Sequence, residues 1–389
     1  MRRICAALVS LLTATAVTAQ PSDAREITAL RALVNRSGDG ARVEGFLGAY
    51  VAYFEADTSD AHLKELAALR LPDLTAVHLR PREKSSANGP VTGVTAAGLK
   101  ELAALPDLRL VSLSYRCRDE DLKAIAGIKT LEAVWVRHGW TDRGPEYVTP
   151  KGLGYLAELP KLRSLRVHVY STEAGWEPIA KCRNLEVLHA DLRTSGKGMS
   201  RLAGLPKLRD LHLGSTSVDD AGAAEIATLK SVRRLELFNT KVTDEGLKHL
   251  GGMTDLQVLD LGTNKLTDAG ARHLTGMTSL QSLNLNFTQV GDEGAKAFAG
   301  MPALRGLHLT RTRVGDIGVK ALAGHGELVN LDLSGTAVTD DGFKELTKLK
   351  KLYLLDVVGT KVTPEAVARF KTALPKCNVA FSRPSGGPK

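Results

Sequence analysis

Apolar and polar positions alternate along most of the chain in a pattern that returns about every 24 residues. Each period contains the apolar run L-x-x-L-x-L, whose last two leucines alternate with polar residues. In residues 208–216, LRDLHLGST, these two positions are Leu211 and Leu213. Alternation with period two is typical of a strand with one buried face. The pattern therefore predicts one short strand in each period.

The second half of the period predicts a helix. In residues 243–253, TDEGLKHLGGM, the apolar side chains Leu247, Leu250 and Met253 recur every three residues and form one stripe. Thr243 can cap the helix N-terminus, and the two acidic residues that follow suit its first turn. A strand and a helix therefore alternate along the chain.

The register of the repeat is regular in one half of the chain and irregular in the other. Seven opening positions lie 24 residues apart: Leu208, Val232, Leu256, Leu280, Leu304, Leu328 and Leu352. Five earlier positions are spaced by 23, 23, 31, 23 and 34 residues: Leu185, Leu162, Leu131, Leu108 and Leu74. About twelve units follow, and self-similarity at this period is the signature of leucine-rich repeats.

Stacking is required because one strand and one short helix cannot bury their apolar faces alone. Strands stack at about 4.8 Å, whereas helices need about 10 Å. We therefore expect an α/β leucine-rich repeat solenoid, or horseshoe, with a concave parallel β-sheet and convex helices.

The unit LxxLxLxxTxVTDxGLKxLxxL resembles the repeats of secreted, planctomycete-type bacterial leucine-rich repeat proteins. It is also similar to the ribonuclease-inhibitor-like repeats of F-box receptor subunits. The resemblance covers residues 43–381 and implies a recognition scaffold. Six units carry Thr where many such repeats carry Asn, with Asn264 as the exception: Thr216, Thr240, Thr288, Thr312, Thr336 and Thr360. The segment before the array is too short for an F-box.

The two ends of the chain differ from the repeats. Residues 1–19 resemble a secretory signal peptide, with a basic start at Arg2 and Arg3 and small residues before Gln20. An uncleaved anchor is the alternative. We expect an N-terminal capping region at 20–73, repeats at 74–363, a C-terminal cap at 364–381 and a disordered tail at 382–389. Within the caps we expect helices at 25–35, 60–69 and 364–374, and strands at 51–54 and 378–381.

Composition narrows the function classes. Hydrophobic residues make up 43% and charged residues 24%, which is typical of a soluble globular protein. The net charge of +9 becomes 50 − 43 = +7 without residues 1–19, and interleaved acidic residues do not indicate nucleic-acid binding. No segment after the leader is apolar enough for a membrane span. Cys117, Cys182 and Cys377 are expected to be free, buried thiols.

Two columns of side chains should line the concave sheet. The first column comprises His78, Ser112, Trp135, Arg166, His189, His212, Glu236, Asp260, Asn284, His308, Asp332 and Asp356. The second comprises Arg80, Ser114, Arg137, His168, Asp191, Gly214, Phe238, Gly262, Asn286, Thr310, Ser334 and Val358. Arg, His and Trp are concentrated in the first half of both columns.

The candidate recognition patch combines these columns with two insertions, 80–93 and 137–147. Both insertions begin at the C-terminal end of a strand and should therefore lie at the same edge of the sheet. Because Trp and Arg are frequent binding hot spots, we assign partner binding to Trp135, Arg137, Trp140, Arg166, His168, Tyr170, His189 and His212. The alternative is an ordinary solvated surface with loop decoration.

A metal site is a sharper hypothesis for part of this patch. His168, His189, Asp191 and His212 would lie on neighbouring strands, and imidazole and carboxylate can ligate zinc. The simpler reading is that His fills polar positions. The repeated Asp residues (220, 244, 268, 292, 316 and 340) are interpreted as first-turn charges, with weak calcium binding as an alternative. The Gly two residues after each is expected to serve helix packing.

The leading interpretation is a non-catalytic, exported interaction scaffold, periplasmic or extracellular, that binds a protein or a glycan on the first half of its concave face. We expect it to be monomeric, without a cofactor. No nucleophile, phosphate-loop or metalloprotease motif is present. A metal-dependent hydrolase that uses the His/Asp group and a host-directed effector remain the alternatives.

Overall fold

The computed structural model describes residues 24–36, 41–46, 49–55, 57–80, 93–114, 117–137, 148–169, 173–192 and 194–382. The chain divides into two compact units. The first unit comprises residues 1–192 with 204–208, and the second comprises 193–203 with 209–389. The predicted signal peptide, both insertions between their end residues and the tail after 382 lie outside the described residues.

In the first unit, strands and helices alternate along the chain. Its strands are β1 (Arg42–Phe46), β2 (Ala49–Phe54), β3 (Leu74–Leu79), β4 (Leu110–Leu113), β5 (Ala133–Arg137), β6 (Ser164–His168) and β7 (Val187–Asp191). Its helices are α1 (Ala24–Asn35), α2 (Asp60–Ala68), α3 (Ala96–Glu101), α4 (Asp119–Ile125), α5 (Pro150–Tyr155) and α6 (Trp176–Ile179). The 3₁₀ helices are Leu102–Ala104, Leu156–Glu158 and Glu173–Gly175.

The second unit repeats the same alternation with shorter strands. These are β8 (Asp210–His212), β9 (Arg234–Glu236), β10 (Val258–Asp260), β11 (Ser282–Asn284), β12 (Gly306–His308), β13 (Asn330–Asp332), β14 (Leu354–Asp356) and β15 (Asn378–Ala380). The helices are α7 (Asp220–Ile226), α8 (Asp244–Leu250), α9 (Asp268–Arg272), α10 (Asp292–Phe298), α11 (Asp316–Leu322), α12 (Asp340–Phe343) and α13 (Pro364–Ala373). Two further 3₁₀ helices are Met199–Gly204 and Lys344–Lys348.

Within each unit the strands follow chain order and pair in parallel, except for the first pair. The predicted fold class is therefore confirmed. In both units the strands of a parallel sheet alternate along the chain with helices. Leu211, Leu235 and Leu259 are register partners, and each is at most 1% exposed. Such rows of leucines form the buried interior. We call the opposite, helix-free side of each sheet its open face.

The N-terminal cap contains one element that the sequence pattern did not predict. Strand β1 pairs with β2 antiparallel, from Arg42 opposite Tyr53 to Phe46 opposite Ala49. The predicted helix at 25–35 and the predicted strand at 51–54 are both present, each extended at its start. Hairpin strands without leucines carry no L-x-x-L-x-L signal, which is why β1 was missed.

A ladder of hydrogen bonds connects the helix starts of successive repeats. Asp220 accepts hydrogen bonds from the Thr243 amide (2.7 Å), the Thr243 hydroxyl (2.7 Å) and the Gly246 amide (3.0 Å). Equivalent Asp–Thr pairs are Asp60–Thr95, Asp119–Thr149, Asp244–Thr267, Asp316–Thr339 and Asp340–Thr363. The first-turn reading of these aspartates was therefore incomplete, because each carboxylate joins its own repeat to the next.

The glycines of the same row are required by this ladder. A Cβ on Gly246 would lie 2.6 Å from Asp220 Oδ1, and a Cβ on Gly270 would lie 2.2 Å from Asp244 Oδ1. The predicted helix-packing role is confirmed, and the group that needs the space is the preceding carboxylate. These carboxylates already accept protein N–H and O–H donors, which leaves fewer of their lone pairs for a calcium ion.

Candidate functional site

The open face of the first unit carries a column of large side chains in continuous register. Tyr53, His78, Ser112, Trp135, Arg166 and His189 are successive Cα partners on β2 to β7. Neighbouring strands lie about 4.8 Å apart. Side chains that are far apart in the sequence therefore form one row.

Three rings of this column are in mutual contact. Tyr53 and His78 stack with ring centroids 4.6 Å apart and planes 7° apart. His78 and Trp135 are tilted by 59° with centroids 5.6 Å apart, although β4 lies between their strands. The rings can meet because Ser112, the β4 residue between them, is small and only 6% exposed. Together these three residues form the aromatic ladder.

Strand β1 anchors the first ring of the aromatic ladder. The Arg42 guanidinium lies 3.8 Å from the centroid of Tyr53, within the range of a cation–π contact. Arg42 Nε donates to Glu44 Oε1 at 2.7 Å, and the Tyr53 hydroxyl donates to Glu44 Oε2 at 3.3 Å. The hairpin that the sequence did not predict thus holds the Tyr53 ring in position.

The electrostatics of the aromatic ladder keep its imidazole neutral. Burial, reinforced by the nearby charge of Arg42, lowers the pKa of His78 from 6.5 to about 4. Desolvation disfavours the charged form of a histidine. At neutral pH His78 therefore behaves as a third aromatic ring.

An apolar row lies beside the aromatic ladder on the same sheet. Val51, Ala76, Leu110 and Ala133 are 1–6% exposed, and Tyr53 and Trp135 pack against them. The open face of the first unit is therefore apolar along one row instead of polar throughout.

The predicted cationic part of the patch adjoins Trp135. Arg166 and Arg137 are exposed on β6 and β5, and His168 and His189 are half-buried. His168 Nε2 lies 3.1 Å from Asp191 Oδ2, which forms an ion pair when the imidazole is protonated. The structure thus brings together five predicted residues: Trp135, Arg137, Arg166, His168 and His189.

The prediction includes three further residues. Trp140 and Tyr170 lie outside the described residues. His212 belongs to the second unit, where its Nδ1 lies 2.7 Å from Glu236 Oε2. Among the residues that the structure describes, no group of three or more His, Cys, Asp or Glu side chains is arranged to hold a metal ion. The three cysteines are unpaired and buried, as predicted.

The open face of the second unit has a different chemistry. Its first column continues in register as His212, Glu236, Asp260, Asn284, His308, Asp332 and Asp356. Burial raises the pKa of Asp260, and the negative charge of Glu236 adds to this effect. The Phe238 ring lies against Gly214, where a Cβ would be 2.1 Å from it.

The residues that sequence reasoning missed are Tyr53, Arg42 and Glu44. The available signal was AYVAYF at 49–54, which carries two tyrosines on a strand although aromatic residues make up only 5% of the chain. Arg42 and Glu44 gave no signal because their strand was not predicted.

Comparison with protein-family models identifies leucine-rich repeats in part of the chain. Models described as Leucine rich repeat match residues 230–290, 204–227 and 302–323. All three matches begin at or after residue 204, where the spacing is regular. Neither model describes a catalytic family. No curated protein matches the sequence.

Solved structures with a similar fold include an internalin (inlF) from Listeria monocytogenes. It is 17% identical, with a TM-score of 0.56, and the match covers 94% of this chain and 96% of that chain. A plant peptide hormone receptor, RGFR1 in complex with RGF2, is 18% identical with a TM-score of 0.45 over 89% of this chain. The chain spans about half (53%) of that receptor. At these identities the likeness concerns the fold.

No helix among the described residues is both long and apolar enough to cross a membrane.

Proposed function

We propose that this leucine-rich repeat protein is an exported, non-catalytic scaffold that binds a protein partner on the open face of its first unit. The observation that carries the proposal is the aromatic ladder, which is followed in the same register by Arg166 and His189. Solenoids of this kind use extended sheet surfaces for binding, and Tyr, Trp and Arg are the side chains that most often dominate interfaces.

The geometry favours a protein over a glycan. A sugar ring binds against the free face of an aromatic side chain, whereas Tyr53 and His78 stack on each other with nearly parallel planes. The exposed groups beside Trp135 are two guanidinium side chains, Arg137 and Arg166. Arginine forms forked hydrogen bonds with carboxylates. We therefore expect the partner to present acidic and apolar side chains.

The proposal is tested by affinity capture with the intact protein and two double variants. Trp135→Ala/Arg166→Ala removes the centre of the patch. Asn284→Ala/His308→Ala changes two residues of the same column in the second unit. Purified proteins are incubated with extracts of the source cells, and retained proteins are quantified by mass spectrometry.

We expect the first double variant to lose at least tenfold of the retained partner, because two hot-spot side chains are each worth about 1–2 kcal/mol or more. The second variant should retain it. Thermal melts establish that both variants fold. Equal retention by the three proteins, with all three folded, would overturn the proposal.

Export is tested separately. If residues 1–19 are a signal peptide, the mature protein should begin at Gln20 by N-terminal sequencing, and deletion of residues 2–19 should keep the protein inside the cell. Recovery of the exported protein with an intact Met1 would contradict cleavage.

A further inference from the structure

The segment 353–358 in the second unit exposes apolar side chains that no other described residue covers. Among the described residues, six large apolar side chains are exposed, and three of them lie in this segment: Tyr353 (59%), Leu354 (40%) and Val358 (39%). Leu355 between them is buried at 2%. The alternation places Leu354 and Asp356 together on the open face of β14, followed by Val358.

Two carboxylates accompany this apolar surface. Asp332 on β13 and Asp356 on β14 are direct register partners. Like charges directly opposite each other on neighbouring strands are destabilising. Neither carboxylate forms an ion pair with any residue in the part of the chain that the structure describes. His308, the register partner on the other side of Asp332, makes no such pair either.

The turn after the strand uses a hydrogen-bond acceptor at these two positions, and that acceptor need not be charged. Asp332 Oδ1 accepts the Ser334 amide at 2.9 Å, and Asp356 Oδ1 accepts the Val358 amide at 2.9 Å. In the same column Asn284 Oδ1 accepts the Asn286 amide, also at 2.9 Å. An asparagine therefore satisfies this turn without repulsion between neighbours.

We propose that this second surface, comprising Asp332, Leu354, Asp356 and Val358, docks a basic segment of a protein partner in which Lys or Arg alternates with apolar residues. The two acidic side chains select a cationic partner by charge complementarity. Leu354 precedes Asp356 by two residues on β14, and Val358 follows Asp356 by two residues in the turn after the strand. Both receive the apolar side chains of the partner. Binding relieves the repulsion between the two carboxylates. This surface is separate from the patch of the first unit.

Fluorescence anisotropy on the full chain tests the proposal with two labelled twelve-residue peptides. One alternates Lys and Leu, and the other alternates Glu and Leu. Asp332→Asn/Asp356→Asn removes both charges and keeps both amide acceptors. Asp341→Asn/Glu365→Gln is the matched control, because it removes two acidic charges from exposed positions on α12 and α13. Leu354→Ser/Val358→Ser removes the apolar part.

We expect the Lys/Leu peptide to bind the wild-type chain, and the Glu/Leu peptide not to bind. The affinity for the Lys/Leu peptide should fall at least tenfold in Asp332→Asn/Asp356→Asn and at least threefold in Leu354→Ser/Val358→Ser, with the control within twofold. The melting temperature of Asp332→Asn/Asp356→Asn should stay equal or rise. Absence of binding to the wild-type chain, unchanged affinity in Asp332→Asn/Asp356→Asn, or an equal loss in the control would each overturn the proposal.

Discussion

The two units build the same repeat with different strand lengths and different side chains on the open face. In the first unit, strands of four to six residues carry rings and cations on the open face, and the repeat spacing varies. In the second unit every strand has three residues and the spacing is constant. Polar bonds between successive repeats are dense there, as in the Asp–Thr ladder and at Asn264.

The difference bears on the proposal that the first unit carries the binding surface. Regular spacing lets each repeat form hydrogen bonds with the polar groups of the next repeat, and these bonds stabilise the array. Both long insertions of the first unit keep an Asp–Thr pair, Asp60–Thr95 and Asp119–Thr149, so irregular spacing leaves these bonds intact. What distinguishes the first unit is its row of bulky side chains, Tyr53, His78 and Trp135. We therefore propose that recognition lies mainly on the first unit and that polar bonds between repeats contribute most to stability in the second unit.

The largest expected effect concerns Asn264 in the second unit. Its amide donates to the carbonyls of Leu237 (2.7 Å) and Leu261 (2.9 Å) and accepts the Thr240 amide (2.9 Å). Asn264→Ala removes three hydrogen bonds at once and leaves the Leu261 carbonyl and the Thr240 amide without this partner, whereas the Leu237 carbonyl keeps the Thr240 hydroxyl. We therefore expect it to lower the free energy of unfolding by about 3 kcal/mol. Urea denaturation followed by circular dichroism measures the change.

A matched variant at the equivalent position of the next repeat sharpens this result. Thr288 makes a single hydrogen bond, to the Leu285 carbonyl at 2.7 Å. Thr288→Ala should cost only about 1 kcal/mol. Equal destabilisation of Asn264→Ala and Thr288→Ala would refute the claim that hydrogen bonds between repeats contribute to the stability of the second unit.

The next effect is a pH dependence that belongs to the first unit. The pKa of His78 is about 4 when folded, against an ordinary value of 6.5. Its contribution to stability is fully present above about pH 6.5 and is lost as the pH falls toward 4, because the unfolded chain then binds a proton that the folded chain does not. The loss is roughly 3 kcal/mol. In denaturation series from pH 7 to pH 4, His78→Phe should show a correspondingly smaller decline.

Asp121 supplies a control of opposite sign in the same unit. Burial raises the pKa of this carboxyl from 3.8 to about 6. Its contribution is therefore present at low pH and is lost as the pH rises through 6. Relative to the wild type, Asp121→Asn should gain stability between pH 4 and pH 6.

For the His78 prediction, parallel pH profiles of the wild type and His78→Phe would contradict a buried, neutral imidazole.

The smallest effect concerns a gap in the Asp–Thr ladder of the second unit. Gly315 stands where other repeats have threonine, so Asp292 accepts its amide (2.7 Å) but no hydroxyl. A Cβ at Gly315 would come no closer than 3.7 Å to Asp292. Gly315→Thr should raise the free energy of unfolding by about 1 kcal/mol.

Thr339→Gly, the reverse change one repeat later, should lower the free energy of unfolding by a similar amount, because Thr339 donates its hydroxyl to Asp316 at 2.7 Å. The pair is measured by urea denaturation. A loss of stability in Gly315→Thr would contradict the prediction, because it would mean that adding the missing hydroxyl to the ladder does not stabilise the protein.

The fold could be predicted from sequence because Leu211, Leu235 and Leu259 report the buried interior directly through their spacing. The candidate site was predicted in part. Trp135 and Arg166 follow from their repeat positions, whereas Tyr53 lies on a hairpin without repeat spacing. The contact between His78 and Trp135 could not be predicted, because it depends on two rings meeting across Ser112.

The central claim is that the partner contacts the aromatic ladder, and photo-crosslinking tests it most directly. A photoreactive phenylalanine analogue is placed at position 135 in one protein and at position 284 in another. Both proteins are illuminated in the extract used for capture. We predict a covalent adduct with the captured partner from position 135 and none from position 284. An adduct from position 284 alone, or equal adducts from both positions, would contradict the assignment of recognition to the first unit.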